Sequence, residues 1–317
     1  MKLSSSTGDF KFYVPSFFDR IACFKDTKFR YINLEQAATC AELSSQNDDD
    51  LKRFAESCRE AAADANVTYV LSHAPCLHKP VLAALTDRDN EEYRETVRII
   101  RRSIEVCHML GIPRIVVHAC PHPSFDQATF YQYNTAFYRD LLDLAEAYGI
   151  TIMTENWDND GSLLSTGKQL RDFVDSIDHP LLAICWDTAH GNISPNARAI
   201  GQYQNILAVG DKLKGLHIAD NFGDCHHHTW PFAGIVNFDS VMQGLLDVNY
   251  DGYFNFEASY TLLHNQNMPH HRKPWEHQGK QVTTLLDPSL ALKKKAVDLM
   301  YDIGQYLLES YRCFEEK

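Results

Sequence analysis

A helix end, a strand and a polar strand terminus follow one another in Leu110-Gly111-Ile112-Pro113-Arg114-Ile115-Val116-Val117-His118. Gly111 can adopt the left-handed backbone conformation that caps a helix, and Pro113 cannot continue one. The apolar run that follows has the length and the β-branched content of a buried strand. The segment therefore predicts a helix, a tight turn and a strand Arg114–Val117 that ends at His118.

The residues upstream of this segment have the period of an amphipathic helix. After Asn90, the apolar residues Val97, Ile100, Ile104 and Cys107 recur at steps of three or four. That spacing places one apolar stripe against a sheet. We therefore predict a helix between Asn90 and Gly111.

The same alternation of short apolar runs with longer helix-patterned segments extends along the whole chain. It is typical of parallel strands joined by helical crossovers. The predicted strands are Leu3–Ser6, Arg30–Leu34, Thr68–Ser72, Arg114–Val117, Thr151–Thr154, Leu182–Trp186, Gly215–Ile218 and Tyr253–Phe256. Eight such units predict the α/β fold called the (β/α)8 TIM barrel. Since no linker or fixed-period repeat divides the sequence, we expect a single domain over residues 1–317.

Two features follow the eighth predicted strand. The irregular piece Ser259–Pro288 has the length of a functional loop, such as a lid or a contact between subunits of a homo-oligomer. The last helix is predicted from about Ser289 to Tyr311. Its expected inner face consists of Leu292, Val297, Met300, Ile303 and Leu307.

Composition narrows the classes of partner and the location of the protein. With 30 basic and 42 acidic residues the formal net charge is −12, and the basic residues are scattered, so long nucleic acid is not favoured as a partner. The sequence has neither a signal-peptide core nor a membrane-length apolar stretch, which predicts a cytoplasmic protein. Its nine cysteines include no C-x-x-C pair, so free thiols are expected.

Polar residues follow six of the predicted strands, where barrel enzymes carry their chemistry. A single histidine or glutamate at a strand end is more often a hydrogen-bonded structural group. Several together in one mouth would be costly to bury without a cation. The residues concerned are His73, His118, Glu155, Asp187, His190, His217 and Glu257. Imidazole with carboxylate suits Zn²⁺, Mn²⁺, Co²⁺ or Fe²⁺ better than Ca²⁺, and Mg²⁺ stays open.

The loop after the seventh strand offers further ligands in Asp224-Cys225-His226-His227-His228. Asp224 and His226 lie two residues apart and can turn inward as an additional pair. The alternative is a solvated polar loop in which only one histidine matters.

These residues resemble the xylose isomerase-like TIM barrels, a superfamily that includes sugar phosphate isomerases and epimerases, ketose 3-epimerases, inosose dehydratases and endonuclease IV. The similarity runs from about Tyr69 to Glu257. Its most specific segments are Cys185-Trp186-Asp187-Thr188-Ala189-His190, Gly215-Leu216-His217-Ile218-Ala219-Asp220-Asn221 and Tyr250-Asp251-Gly252-Tyr253-x-x-x-Glu257.

In the isomerase and epimerase branch, the resemblance implies one divalent ion held by four residues, Glu155, Asp187, His217 and Glu257. The ion would bind adjacent oxygens of a sugar and acidify the neighbouring C–H. Glu155 and Glu257 would then be the catalytic acid and base. His190 would contact a substrate hydroxyl or support the site.

In the endonuclease IV branch, the resemblance implies a trinuclear zinc cluster that cleaves phosphodiesters. Its ligands would be His73, His118, Glu155, Asp187, His190, His217, Asp224, His226 and Glu257, with His226 favoured over His228. The cofactor is thus a divalent metal, Zn, Mn or Mg, with one to three ions.

The chain departs from both branches. Ketose 3-epimerases carry an arginine shortly after the strand-seven histidine, and Ile218–Asp224 has none. Endonuclease IV has a Gly-rich turn where this chain has Thr229-Trp230-Pro231-Phe232. We favour a metal-dependent isomerase or epimerase of a sugar or sugar phosphate. The alternatives are a zinc phosphodiesterase acting on abasic DNA and a barrel that binds without turnover.

Substrate contacts are expected from loops around the mouth. Trp157 and Trp230, with Phe232, can stack on a sugar ring. Arg272 and Lys273 lie in the loop after the eighth strand, where barrels often bind phosphate.

Overall fold

A computed structural model describes residues 1–36, 47–76, 87–120, 125–264 and 267–316. All eight predicted strands are confirmed, and their bounds differ from the prediction by at most two residues. They are β1 (Lys2–Ser6), β2 (Tyr31–Glu35), β3 (Thr68–His73), β4 (Arg114–Val116), β5 (Thr151–Glu155), β6 (Leu182–Asp187), β7 (Leu213–His217) and β8 (Tyr253–Asn255).

The strands form one parallel sheet that closes on itself. Each strand pairs with its neighbours in chain order, and β8 pairs with β1. The remaining seam lies just beyond β7, where the Ile218 amide donates to the Asn255 carbonyl at 2.8 Å and the Glu257 amide donates to the Ile218 carbonyl at 3.1 Å. The prediction of a (β/α)8 TIM barrel is therefore confirmed.

Helices connect the strands. They are α1 (Phe17–Ala22), α2 (Asp48–Ala65), α3 (Glu91–Leu110), α4 (Gln127–Tyr148), α5 (Gly167–Ile177), α6 (Thr188–Ile193), α7 (Pro195–Ile200), α8 (Gln202–Val209), α9 (Phe238–Asp247) and α10 (Leu290–Ser310). Helix α3 begins after Asn90, whose side chain accepts from the Glu92 amide, and ends at Gly111 with φ 69°. Gly149 ends α4 in the same way with φ 67°, as left-handed capping requires.

Helix α10 packs on the barrel with a different inner face from the one predicted. Val297, Met300 and Leu307 are buried, whereas Leu292 is 48% exposed, so its assignment to the inner face was wrong. The next residue, Lys293, is buried instead. Its ammonium group donates to the Thr261 carbonyl at 3.1 Å. The position thus ties the helix to the segment after β8.

Burial lowers the pKa of Lys293 to about 8, against the opposing charge of Asp9. In the unfolded chain the pKa is that of an ordinary lysine, so the unfolded state binds more protons between pH 8 and about 10. The free energy of unfolding of the wild type should therefore rise with pH across this window relative to Lys293→Met. Urea unfolding at several pH values measures the difference, and Leu292→Met serves as a matched control on the same helix. Parallel curves for wild type and Lys293→Met would contradict the assignment.

The segment expected to be irregular between Ser259 and Pro288 contains a short exposed hairpin. Its strands are β9 (Trp275–His277) and β10 (Lys280–Val282), which pair antiparallel. A role as a lid or as an oligomer contact stays a prediction. Residues 265–266 of the segment lie outside the described part of the chain.

The structure also bears on the predictions about membrane-spanning segments and about the cysteines. Within the described ranges, no helix has both the length and the apolar character needed to cross a bilayer. The eight described cysteines are free, in agreement with the prediction of free thiols. The ninth, Cys40, lies outside the described residues.

Candidate metal centre

The polar residues at the strand ends meet at one mouth of the barrel. His73, Glu155, Asp187 and His217 are the last residues of β3, β5, β6 and β7. Asp187 and His217 are also partners in the register of their strands. Because the carboxyl ends of parallel strands share one edge, the strands themselves bring these groups together.

The carboxylate of Glu155 lies among four imidazoles. Glu155 is fully buried. Its contacts are Oε1 to His217 Nδ1 at 2.9 Å, Oε1 to His190 Nδ1 at 3.3 Å, Oε2 to His118 Nε2 at 3.4 Å and Oε2 to His73 Nε2 at 3.5 Å. One carboxylate cannot give each of these rings a good hydrogen bond, since several contacts exceed the normal range.

Glu257 is a second carboxylate that approaches His217. Its Oε2 is 3.2 Å from His217 Nδ1 and 3.5 Å from His228 Nδ1. Burial acts to raise the pKa of Glu155 and of Glu257, but His217 and the neighbouring histidines hold both pKa values well below the usual range. Both carboxylates are therefore ionised at neutral pH.

Three of the rings are oriented by backbone carbonyls. The Nδ1 atoms of His73, His190 and His228 lie 2.7, 2.8 and 3.0 Å from the carbonyl oxygens of Ala74, Asn156 and Glu257. A carbonyl oxygen only accepts, so each Nδ1 donates and each neutral ring presents a lone pair at Nε2. This arrangement is the usual one for histidines that bind a metal through Nε2.

The ring of His226 completes a second group at the mouth. Its Nε2 lies 2.7 Å from His190 Nε2 and 3.1 Å from His228 Nε2. His226 Nε2 can carry at most one proton, so in neutral rings one of these two contacts sets lone pair against lone pair. A cation among the three nitrogens removes this conflict.

Several buried polar atoms of the site have no hydrogen-bond partner among the described residues. They are Glu155 Oε2, Asp187 Oδ2, His217 Nε2 and His118 Nδ1. An unsatisfied buried polar group costs about 1–3 kcal/mol. Asp187 also shows how the site is fixed, because its Oδ1 accepts from the His190 amide at 2.7 Å and caps α6. The donor set therefore fits a divalent metal.

The imidazoles differ in how the protein sets their protonation. Burial lowers the pKa of His118 to about 3. Burial acts in the same direction on His190, but the charge of Asp187 and a hydrogen bond to Glu155 raise its pKa to about 10. A metal binds only the neutral form of a histidine ring. A bound cation would replace the proton of His190 as the positive charge that the neighbouring carboxylates stabilise.

The structure does not bring Asp224 to this centre, contrary to the sequence-based expectation. Its side chain is half exposed, and Oδ2 accepts from His270 Nε2 at 2.7 Å. His228, which ranked behind His226 in the prediction, is in the centre instead. A signal existed in the sequence, because residues two apart in an extended segment face the same side. His226 and His228 therefore point inward together, while His227 points away.

The residues converge on a cavity of about 470 Å³, within the range of small-molecule sites. Trp157 lines it, with its ring 4.7 Å from the His118 ring. The lining residues that the sequence analysis missed are Glu35, Cys76, Asp158, His228 and Tyr260.

Two other predicted substrate contacts lie elsewhere. Trp230 packs against the hydrophobic core. Arg272 donates to the carbonyls of Leu262 and Leu286 and borders a separate, shallower pocket. Neither residue lines the cavity at the centre, in contrast to the prediction.

The sequence profile of the family described as xylose isomerase-like TIM barrel matches residues 25–281. The chain belongs to this family. Its sequence is 32% identical over 178 residues to an uncharacterised protein of Methanocaldococcus jannaschii, a match that covers 53% of this chain and 58% of that protein. It is 22% identical over 203 residues to an inosose isomerase of Bacillus velezensis, covering 62% and 71%.

Solved structures share the fold over nearly the whole chain. A D-psicose 3-epimerase from Clostridium cellulolyticum H10, crystallised with D-tagatose, superposes with a TM-score of 0.70 at 16% identity and covers 97% of this chain and 99% of that one. A crystal structure of IOLI protein with a bound zinc atom superposes with a TM-score of 0.68 at 16% identity, and the match covers 98% of this chain and 99% of that one.

Proposed function

We propose that the chain is a metal-dependent isomerase or epimerase of an unphosphorylated sugar. One observation carries the proposal. Two buried carboxylates, Glu155 and Glu257, approach the same nitrogen of His217 at 2.9 and 3.2 Å at the mouth of the barrel. The named isomerase and epimerase relatives support the reaction class.

Glu155, Asp187, His217 and Glu257 would hold the ion of such an enzyme. When bound, a divalent ion polarises a sugar carbonyl and acidifies the adjacent C–H. The unpartnered carboxylate oxygens of Glu155 and Asp187 favour these residues as its ligands, and His217 Nδ1 lies beside the carboxylates of Glu155 and Glu257. A protein of the same fold that binds a zinc atom is consistent with a divalent metal in this chain.

The chain's own carboxylates would move the proton. Glu155 and Glu257 approach the same nitrogen, His217 Nδ1, at 2.9 and 3.2 Å. Both are ionised, so either can accept a proton from carbon and, once protonated, return it. For an epimerisation, the other carboxylate would first take up a proton from solvent and then protonate the opposite face of the sugar. His190, held by Asn156 and Asp187, would orient a substrate hydroxyl.

The wall of the cavity favours a neutral sugar over a sugar phosphate. Among the described residues, its lining includes the acids Glu35 and Asp158 but no lysine or arginine. Protein sites for phosphate normally supply arginine, lysine or backbone amides to the anion. The charged group that contacts the substrate would instead be the metal ion, through the carbonyl and hydroxyl oxygens of the sugar.

Two measurements on the purified protein test the proposal. Elemental analysis gives the metal and its stoichiometry per chain. Proton exchange in heavy water, followed by mass spectrometry across a panel of ketoses and their phosphates, detects removal of a carbon-bound proton. We expect metal in the protein and deuterium in at least one free ketose. Absence of metal, or exchange into phosphates alone, would contradict the proposal.

A zinc phosphodiesterase is the second candidate because of two additional ligand groups. His73 and His118 approach Glu155, and His190, His226 and His228 meet each other. Three zinc ions per chain, together with nicking of abasic DNA and no exchange into ketoses, would establish that alternative and overturn the isomerase.

The two tryptophans offered as substrate contacts should behave differently when truncated. Trp157→Ala should raise KM about fivefold, because Trp157 lines the cavity and an aromatic contact contributes about 1 kcal/mol. Trp230→Ala should instead lower the free energy of unfolding, because Trp230 packs on the core. Steady-state kinetics and urea unfolding of both variants measure the contrast. Equal KM values for the two variants would contradict it.

A further inference from the structure

A second cluster of potential ligands lies outside the cavity, on the other side of the loop after β7. It includes Asp224 and Cys225 from that loop and His270 from the segment after β8. One potential ligand atom of each lies within 4.8 Å of the others. The centre described above uses none of these three residues.

Direct contacts hold the cluster together. Asp224 Oδ2 accepts from His270 Nε2 at 2.7 Å. Cys225 Sγ lies 3.5 Å from Nδ1 of His227. Ligand atoms around a tetrahedral zinc ion lie roughly 3.3–3.8 Å apart, given its bond lengths to sulfur and nitrogen. The contacts are close enough to form a zinc site after small side-chain movements.

The buried ring of His227 lies against the cluster through its Nδ1 atom. Its side chain is 1% exposed. Although buried, its Nε2 has no hydrogen-bond partner among the described residues, while Nδ1 faces the thiol. The ring also stacks on His271, with centroids 4.3 Å apart, and Nδ1 of that ring is unpartnered too. Nδ1 is therefore the nitrogen of His227 that is placed to bind an ion together with the Cys225 thiolate.

We propose that Asp224, Cys225, His227 and His270 form a second metal site that takes Zn²⁺ or a similar borderline-soft divalent ion. One thiolate, two imidazoles and one carboxylate are four ligands of the types that zinc prefers. Binding breaks the S–H bond of Cys225 and releases that proton to solvent, with no change in oxidation state. The site goes beyond the proposed function, since it does not depend on which sugar, if any, the enzyme uses.

Such an ion would join two segments that border the mouth. The loop after β7 carries His226 and His228 into the centre, and the segment after β8 contributes His270. An ion shared by these segments would fix the position of the loop that supplies the two inward histidines. Its effect on the centre would be one of positioning.

Cobalt substitution tests the site with a readout other than activity. The full-length protein is stripped with a chelator, loaded with Co²⁺ and examined for the near-ultraviolet charge-transfer absorption of a thiolate–cobalt bond. We expect this band in the wild type and its loss in Cys225→Ser, with one fewer metal equivalent by elemental analysis. His270→Ala, a change in an exposed loop, should weaken binding at the same site without altering the fold.

Matched variants separate this site from the centre. Cys313→Ser, near the C-terminus, and Cys76→Ser, at the cavity, should retain the band. Glu155→Gln should remove metal from the centre but keep the band. The band would therefore be present even if the proposed function of the centre were wrong. A band that survives Cys225→Ser, or its absence from the cobalt-loaded wild type, would overturn the proposal.

Discussion

Glu155→Gln should lower kcat by about 10³-fold, since general acid–base catalysis contributes 10²- to 10⁴-fold and this residue would also bind the metal. The amide cannot accept a proton from carbon. The substitution also removes the negative charge of the Glu155 carboxylate, which contacts four imidazoles. Both losses act on the chemical step, so proton exchange should fall together with turnover. Deuterium incorporation into the substrate, measured alongside kcat, reports the loss directly.

Glu146→Gln is the matched control for this substitution. Glu146 is exposed on α4 and touches no residue of the centre, so its replacement should leave kcat unchanged. Retention of exchange by Glu155→Gln would show that another group removes the proton. Glu257, which approaches the same His217 nitrogen, would then be the base.

Removal of the metal should abolish turnover and lower the thermal stability. Without an ion, His226 Nε2 cannot form a good hydrogen bond with both His190 Nε2 and His228 Nε2, and the buried atom Glu155 Oε2 lacks a hydrogen-bond partner among the described residues. A ligand at about a thousand times its dissociation constant stabilises the folded state by about 4 kcal/mol. We therefore expect the Tm to fall by several degrees on chelation and to recover when Mn²⁺, Co²⁺ or Zn²⁺ is returned.

Calorimetry of stripped and reloaded protein, with activity on the same samples, makes this measurement. Glu155→Gln should show a smaller difference in Tm between the two states, because it binds the ion more weakly. Full turnover in the chelated sample, with no metal left by elemental analysis, would contradict a metal-dependent reaction.

The fold was predictable because its signals are local and repeated. Gly111 and Gly149 end their helices in the left-handed conformation, and each is followed within a few residues by a strand. A signal of this kind depends on a few adjacent residues, so the element could be predicted without knowledge of its neighbours. The face of α10 was less predictable. Leu292 is exposed and Lys293 is buried, the reverse of what their side chains predict. The Lys293 ammonium group can be buried because the Thr261 carbonyl, from a distant segment of the chain, accepts its hydrogen bond.

The members of the centre that follow a strand were predictable for the same reason. Glu155 and His217 end their strands, and the position of a strand end is fixed by the sheet. Loop residues were not, because their direction depends on contacts with other loops. Asp224 turns toward His270, a residue 46 positions further along the chain. Nothing in the local pattern around Asp224 specifies that partner.

The short path from Asp224 to Thr229 has a consequence for how this protein can diverge. Thr229 is joined to Asp220 by a pair of backbone hydrogen bonds of 2.9 and 3.2 Å. Upstream of it, the rings of His226 and His228 face the centre, while the ring of His227 faces Cys225. Deleting or inserting one residue here would exchange the histidines that face the two sides, as a slipped register does in any extended chain. As the protein diverges, the number of residues between Asp224 and Thr229 should therefore matter to the centre as much as the identity of the two histidines that enter it.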